Sequence, residues 1–284
     1  MENGSILIVA CTGSDPAALE DIVETARTRN LRMSILIAAQ ATEAPIYTYG
    51  LEFYGAFPTV ADWQDDGDAT RSRLDETAAR FRRRLDAEGV SGDVATLLAP
   101  TLDLERVVAR MALTRDIIIT TKGMDRDSSL FRSALHAGLF HAPAGILIDA
   151  PGGRRPLDPK RVFVAWNDGL PAGRALRAAL PLLGAAEEVT IGLFDADATD
   201  ARHGANPGSD VARWLSHRGC PVNVQQYASG GIEIGEAVLS RAREAQADLV
   251  VMGAYQHSRM REMILGGTTR TVIERSVIPV LLAH

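Results

Sequence analysis

Residues 5–10, Ser5-Ile6-Leu7-Ile8-Val9-Ala10, and residues 161–166, Arg161-Val162-Phe163-Val164-Ala165-Trp166, are two short apolar runs of one pattern, and their recurrence decides the fold. Each reads as a strand covered on both faces. A fixed offset of 155 pairs Ala10 with Ala165 and Pro16 with Pro171, and it also pairs the second apolar runs, 34–39 and 189–194. Further on the offset falls to 130, matching Phe81, Leu85 and Gly89 with Val211, Leu215 and Gly219. The fourth runs, 116–119 and 248–251, pair at 132. The drop has one cause, a longer segment in the first half after its second strand, so the chain is an internal repeat of a strand–helix unit. Alternating βα units specify a parallel, right-handed, doubly wound sheet. The expected fold is α/β, two tandem doubly wound parallel-sheet (Rossmann-like) domains.

The Pro- and Gly-rich stretch 150–159 fits an interdomain linker, which divides the chain into 1–152 and 153–284. A length of 284 residues suits two domains of this type. Apolar residues make up 46% and charged residues 23%, an ordinary globular balance. Net charge is −6, which excludes a basic footprint for nucleic acid or anionic lipid. The two halves differ: net −7 over 1–150 and +1 over 151–284, so the second is the easier host for a polyanion. Cys11 and Cys220 are too few for a disulfide framework or zinc site and read as core residues. No apolar stretch approaches a membrane span, and no basic leader precedes Ile6; the expectation is a cytoplasmic protein. The segment 45–66 carries Tyr47, Tyr49, Phe53, Tyr54, Phe57 and Trp63. It reads as a loop, either a binding face or a cover over the first sheet's edge.

In an open α/β sheet, ligands sit beyond the carboxyl ends of the strands, at the switch point. After the fourth strand of the second half comes Gly253-Ala254-Tyr255-Gln256-His257-Ser258-Arg259-Met260-Arg261, and then Gly266-Gly267-Thr268-Thr269 opening a helix. Gly253 lets the backbone leave the strand without a Cβ clash. Residues 266–269 offer bare amides and hydroxyls at a helix N-terminus, where the helix dipole favours an anion. Arg259 and Arg261 add positive charge, and His257 lies within phosphate reach. The alternative is that the glycines only turn the chain and Thr268 and Thr269 cap the helix.

This loop resembles that of the ATP-binding universal stress proteins, whose pattern is Gly-x-x-Gly, nine residues, then Gly-Ser/Thr. Gly253 and Gly266 match with the spacing intact. Residues 164–167, followed by Asp168 and Gly169, are similar to the family's first strand and turn, and 277–282 to its closing strand. The resemblance implies an adenine nucleotide (ATP, ADP or AMP) held by Asn167, Asp168, Gly253, Gln256, His257, Arg259, Gly266, Gly267, Thr268 and Thr269. Two departures stand out: Gln256 replaces the second glycine, and Gly267 the hydroxyl residue. The resemblance further implies that the two closing strands, 144–148 and 279–283, meet within one chain as relatives' strands meet in a dimer; higher oligomers stay open. A linker of about ten residues spans roughly 30 Å if extended, enough for that contact.

The first half lacks the loop. It reads Thr120-Thr121-Lys122-Gly123-Met124-Asp125-Arg126-Asp127, with no glycine pair and with acids that would repel phosphate, and Thr12 stands at Asn167's position. It reads as a structural or partner-binding copy. Ser229-Gly230-Gly231-Ile232-Glu233 echoes the loop of ATP pyrophosphatases but follows the third strand, and reads as a turn with Glu233 in a helix's first turn. His136, His141, His203, His217 and His284 sit at no metal-ligand spacing, and no metal is expected. No nucleophile or acid–base pair recommends catalysis. Three classes remain: a nucleotide-sensing stress-response protein without efficient turnover, a nucleotide-free interaction protein with an unknown protein partner, and a slow nucleotide hydrolase with Asp168 as the one nearby magnesium candidate.

Overall fold

The structure, a computed structural model, describes residues 2–42, 60–151, 155–196, 206–255 and 267–284, and of residues 60–63 the backbone only. Its elements in the first half are β1 (Ser5–Ala10), α1 (Glu20–Thr28), β2 (Arg32–Gln40), α2 (Val60–Glu88), β3 (Gly92–Ala99), α3 (Thr101–Ala112), β4 (Ile117–Thr120), α4 (Ser129–His136) and β5 (Gly145–Ile148). In the second half they are β6 (Arg161–Trp166), α5 (Leu170–Leu183), β7 (Glu188–Phe194), α6 (Ser209–Ser216), β8 (Val222–Tyr227), α7 (Ile234–Glu244), β9 (Leu249–Gly253), α8 (Gly267–Arg275) and β10 (Val280–Ala283). Residues 60–66 of the aromatic segment belong to α2, which corrects their reading as loop; residues 45–59 lie outside the described residues.

All ten strands form one sheet in the order β3-β2-β1-β4-β5-β10-β9-β6-β7-β8. Within each half every pairing is parallel, and the order runs as a mirror image through the centre. There β5 and β10 pair antiparallel, with Leu147 opposite Leu281 and Ile146 opposite Leu282. The two closing strands therefore do meet within the chain. Apolar alternation carries one core through this seam on each face: Leu147 and Leu281 share one, Ile146 and Leu282 the other. Helix α5 lies over the join so closely that a Cβ on Gly145 would stand 2.8 Å from Ala178 Cβ. From the first half, Arg126 reaches across to the end of α8, donating to the Ile273 and Ser276 carbonyls.

The sequence repeat is also a repeat of bonds. Asp116, just before β4, accepts from the Ser5 amide at 2.7 Å. Asp248, just before β9, accepts from the amides of Lys160 at 2.9 Å and Arg161 at 3.0 Å. Each carboxylate ties the start of the first strand of its half to the start of the fourth.

Asp149, at the end of β5, is 4% exposed. Its Oδ1 accepts from the Ala150 amide at 2.8 Å, and its Oδ2 has no hydrogen-bond partner among the described residues. Lys122 Nζ is 4.0 Å away and also 3.7 Å from Asp21. Burial raises this carboxyl from 3.8 to about 6, against the pull of Lys122 and the Ala150 amide. The folded value lies above the unfolded one, so the native state holds the proton more tightly. Stability is then lost as pH rises from 3.8 through about 6. At neutral pH the ionised group costs on the order of 2–3 kcal/mol. Asp149→Asn is expected to recover most of that at pH 7.5 and to flatten the urea-denaturation profile between pH 4 and 6. An unchanged pH slope in the variant would show that Asp149 is already well solvated.

Candidate functional site

At the carboxyl ends of β6 and β9 the sheet opens into a cleft of about 450 Å³, lined by Ala165, Trp166, Asn167, Pro171, Phe194, Ile234, Val238, Met252, Gly253, Tyr255, Gly267, Thr268 and Thr269. This is the switch point, since β6 pairs with both β7 and β9. Of the residues singled out from the sequence, Asn167, Gly253, Gly267, Thr268 and Thr269 come together here. Gln256, His257, Arg259 and Gly266 lie outside the described residues.

Three strand exits at this end hold non-glycine residues in left-handed backbone, Asp168 (φ 54°), Asp195 (φ 50°) and Tyr255 (φ 55°). Such conformations persist only where the surroundings enforce them. After β6, the Asn167 side-chain oxygen accepts from the Gly169 amide at 3.2 Å, and the Asp168 carboxylate accepts from the Trp166 indole at 2.5 Å. Asp168 is thus drawn beside the cleft wall by the indole. After β7, Asp195 accepts from the Ser229 amide at 2.8 Å. The Ser229 side-chain and backbone hydrogen bonds hold its carboxyl below the usual range. The left-handed turn there is locked to the loop after β8.

Gly253 is required for a reason the sequence reading did not reach. A Cβ at this position would lie 2.4 Å from the Ala172 amide nitrogen and 2.6 Å from the Pro171 carbonyl carbon. The glycine lets β9 run against the first turn of α5, and that turn forms a wall of the cleft. At Gly267, the first residue of α8, a Cβ would meet nothing within 4 Å among the described residues.

Glu233 is the N-cap of α7, not a first-turn residue, and accepts from the Glu236 amide at 3.1 Å. Burial pushes its carboxyl up. Hydrogen bonds from the Gly235 amide, the Thr268 hydroxyl, the Glu236 amide and the Thr271 hydroxyl outweigh that and hold it below its ordinary value. A Cβ on Gly235 would meet Thr268 O at 2.9 Å, which explains how closely α7 and α8 approach. One hydroxyl expected to face a phosphate is therefore already bonded to a carboxylate.

The apolar side of the cleft continues outward. Phe194 stacks on Tyr227 at 5.4 Å, and the Arg241 guanidinium sits 4.9 Å over that ring. Burial raises the Tyr255 phenol to about 12. Its ring lies 5.6 Å from Phe140, which belongs to the first half. Phe140 also meets His284 edge-on at 4.8 Å.

In the first half the matching crevice is occupied by its own bonds. The Ser14 and Thr121 hydroxyls meet at 3.1 Å, joining the exits of β1 and β4. From α2, Thr77 donates to Thr12 O at 2.9 Å, and Arg80 donates to Ser14 O at 3.3 Å. His136 and His141, read from the sequence as surface or satisfied polar residues, are both: each is part-exposed and pairs with Glu105. What the spacing did not show is that the three converge within 4.8 Å. Among the described residues no helix is long and apolar enough to cross a membrane.

The universal stress protein family model matches residues 221–284. A universal stress protein from Synechocystis sp. is 34% identical over 110 residues, which is 39% of this chain and 34% of that protein, so the match spans about a third of the relative. Among solved structures, a universal stress protein from Archaeoglobus fulgidus aligns over 99% of this chain and 98% of its own, with TM-score 0.68 and 18% identity. A putative universal stress protein from Pseudomonas aeruginosa aligns over 99% and 93%, with TM-score 0.57 and 15% identity. At such identities the likeness is one of fold.

Proposed function

The chain carries the universal stress protein pattern over residues 221–284, and from that premise we propose that it is a cytoplasmic stress-response sensor. In this reading it binds one adenine nucleotide in its second half, without efficient turnover, and passes the bound state to a protein partner. The division into 1–152 and 153–284, whose junction lies outside the described residues, is part of the same proposal. One observation carries it. The cleft joins an apolar floor of Ala165, Phe194, Val238 and Met252 to the amide and hydroxyl groups at the start of α8. A planar base suits the first part, and an anion suits the second. Asn167, Gly253, Gly267 and Thr269 are the residues of this structure proposed to meet the ligand, with Asp168 steadying the wall through Trp166; Gln256, His257, Arg259 and Gly266 would complete the phosphate side.

A second reading has its own support. Glu233, the N-cap of α7, is held below its ordinary range and already takes the hydroxyl of Thr268 at the start of α8, so an incoming phosphate meets a resident anion. That favours a nucleotide-free interaction protein. Calorimetry of the full chain with ATP, ADP and AMP separates the two. The sensor reading expects a single site per chain, tightened about three- to tenfold by Gly267→Ser, because open space surrounds that Cβ and one added hydrogen bond contributes about 0.5–1.5 kcal/mol. Two equivalent sites would contradict a second-half sensor, and no heat with any of the three would leave the interaction protein standing.

A further inference from the structure

From the convergence of Glu105, His136 and His141 we propose a second site in the first half, one that binds a divalent transition-metal cation, zinc foremost. Glu105 is on α3. His136 ends α4, and His141 ends a π-helical turn, Ala137–His141, that follows directly. On an α-helix two residues five apart point about 140° away from each other. The π turn, with its wider i-to-i+5 register, cancels that divergence. It brings the two imidazoles to one side, their centroids 5.4 Å apart.

Both rings address the same carboxylate oxygen, Glu105 Oε1, His136 through Nδ1 at 2.8 Å and His141 through Nε2 at 3.2 Å. Donor atoms around a tetrahedral ion with bonds of about 2.0–2.1 Å lie roughly 3.4 Å apart. The two carboxylate–imidazole separations are a little shorter than that spacing, and all three donor atoms lie within 4.8 Å of one another, so small side-chain adjustments would seat an ion among them. Two imidazoles and one carboxylate form a borderline donor set that suits zinc, cobalt or nickel better than magnesium or calcium. The site is open to water: side-chain exposure is 40% for His136, 51% for His141 and 23% for Glu105. A solvent molecule completes the coordination. His136 is further steadied by Phe140, whose ring lies 4.7 Å away.

The ion clamps α3 to the turn that precedes β5. The test uses the untagged full chain, stripped with EDTA and dialysed free of it, then titrated with Zn²⁺ by calorimetry and with Co²⁺ by visible absorption. One ion per chain is expected, with the intense d–d bands of a four- or five-coordinate cobalt. His141→Ala, the most exposed of the three positions, should weaken binding by at least about tenfold, as should Glu105→Gln and His136→Ala. Circular dichroism of the metal-free variants confirms that they fold. His217→Ala, at the C-cap of α6, should bind like the parent. No saturable binding of either ion overturns the proposal. So does binding that survives in the folded His141→Ala variant, which would mark an adventitious surface ion.

Discussion

Leu281→Asp is expected to remove about 4 kcal/mol or more of stability and to lower the melting temperature by roughly 10 °C. Leu281 is fully buried, pairs with Leu147 across the antiparallel seam and belongs to a core shared by both halves. A carboxylate there has neither water nor a cation to solvate it. Because β5 and β10 form, among the described residues, the only ladder joining the halves, the loss should appear as separation: larger radius of gyration by small-angle scattering and dye binding to newly exposed apolar surface. Gln225→Asp on the outer strand β8 is the control, expected within about 0.5 kcal/mol because Gln225 is exposed. Should Leu281→Asp unfold at the parent's urea midpoint, with unchanged scattering, the seam does not hold the molecule together.

The second large effect belongs to Gly253→Ala. A Cβ placed 2.4 Å from the Ala172 nitrogen meets backbone, not the yielding end of a side chain. Either β9 or the first turn of α5 has to move, at about 1–3 kcal/mol. Pro171 and Gly253 both line the cleft, so the same shift should weaken nucleotide binding by at least about tenfold, beyond what the stability change alone explains. Gly267→Ala, where the Cβ meets nothing within 4 Å, should leave stability nearly unchanged. A Gly253→Ala protein as stable as the parent, binding nucleotide with the same affinity, would remove the case for a wall held in place by this contact.

These two glycines show where sequence reading reaches and where it stops. The runs at Ile6–Ala10 and Val162–Val164 are apolar because helices cover both faces, so the strands and the repeat were legible, though the order of the strands across the sheet was not. The meeting of the closing strands was legible too, from the resemblance together with two apolar closing runs at sheet edges that need a partner. Gly253 was legible as a glycine that had to be one, but not why. The crowding comes from Pro171 and Ala172, 82 and 81 residues earlier in the chain, and a spacing pattern cannot tell that from an approach to phosphate. Nor could it show that Glu233 takes the Thr268 hydroxyl, for that contact depends on how α7 and α8 pack. The helical reading failed at 60–66, where aromatic and glycine content suggested loop. Gly67 simply sits inside a 29-residue helix. The histidines were missed for a different reason. The π turn is a change of backbone register, and counted on an α-helix His136 and His141 fall on separate faces.

The mirrored strand order also has a consequence for how the molecule is made. Strand β5 is complete at Ile148, but its antiparallel partner begins only at Val280. At ribosomal speeds of about 5–20 residues per second, some seven to twenty-six seconds separate them. During that interval a first half that has assembled its parallel ladder presents a bare edge of Ile146, Leu147 and Ile148 to solvent. That is the sticky arrangement by which unfinished sheets recruit one another. Two nascent chains on one messenger could pair β5 with β5, and each would then need to shed its neighbour before its own β10 arrived. The seam that stabilises the finished protein is thus also the hazard of its synthesis.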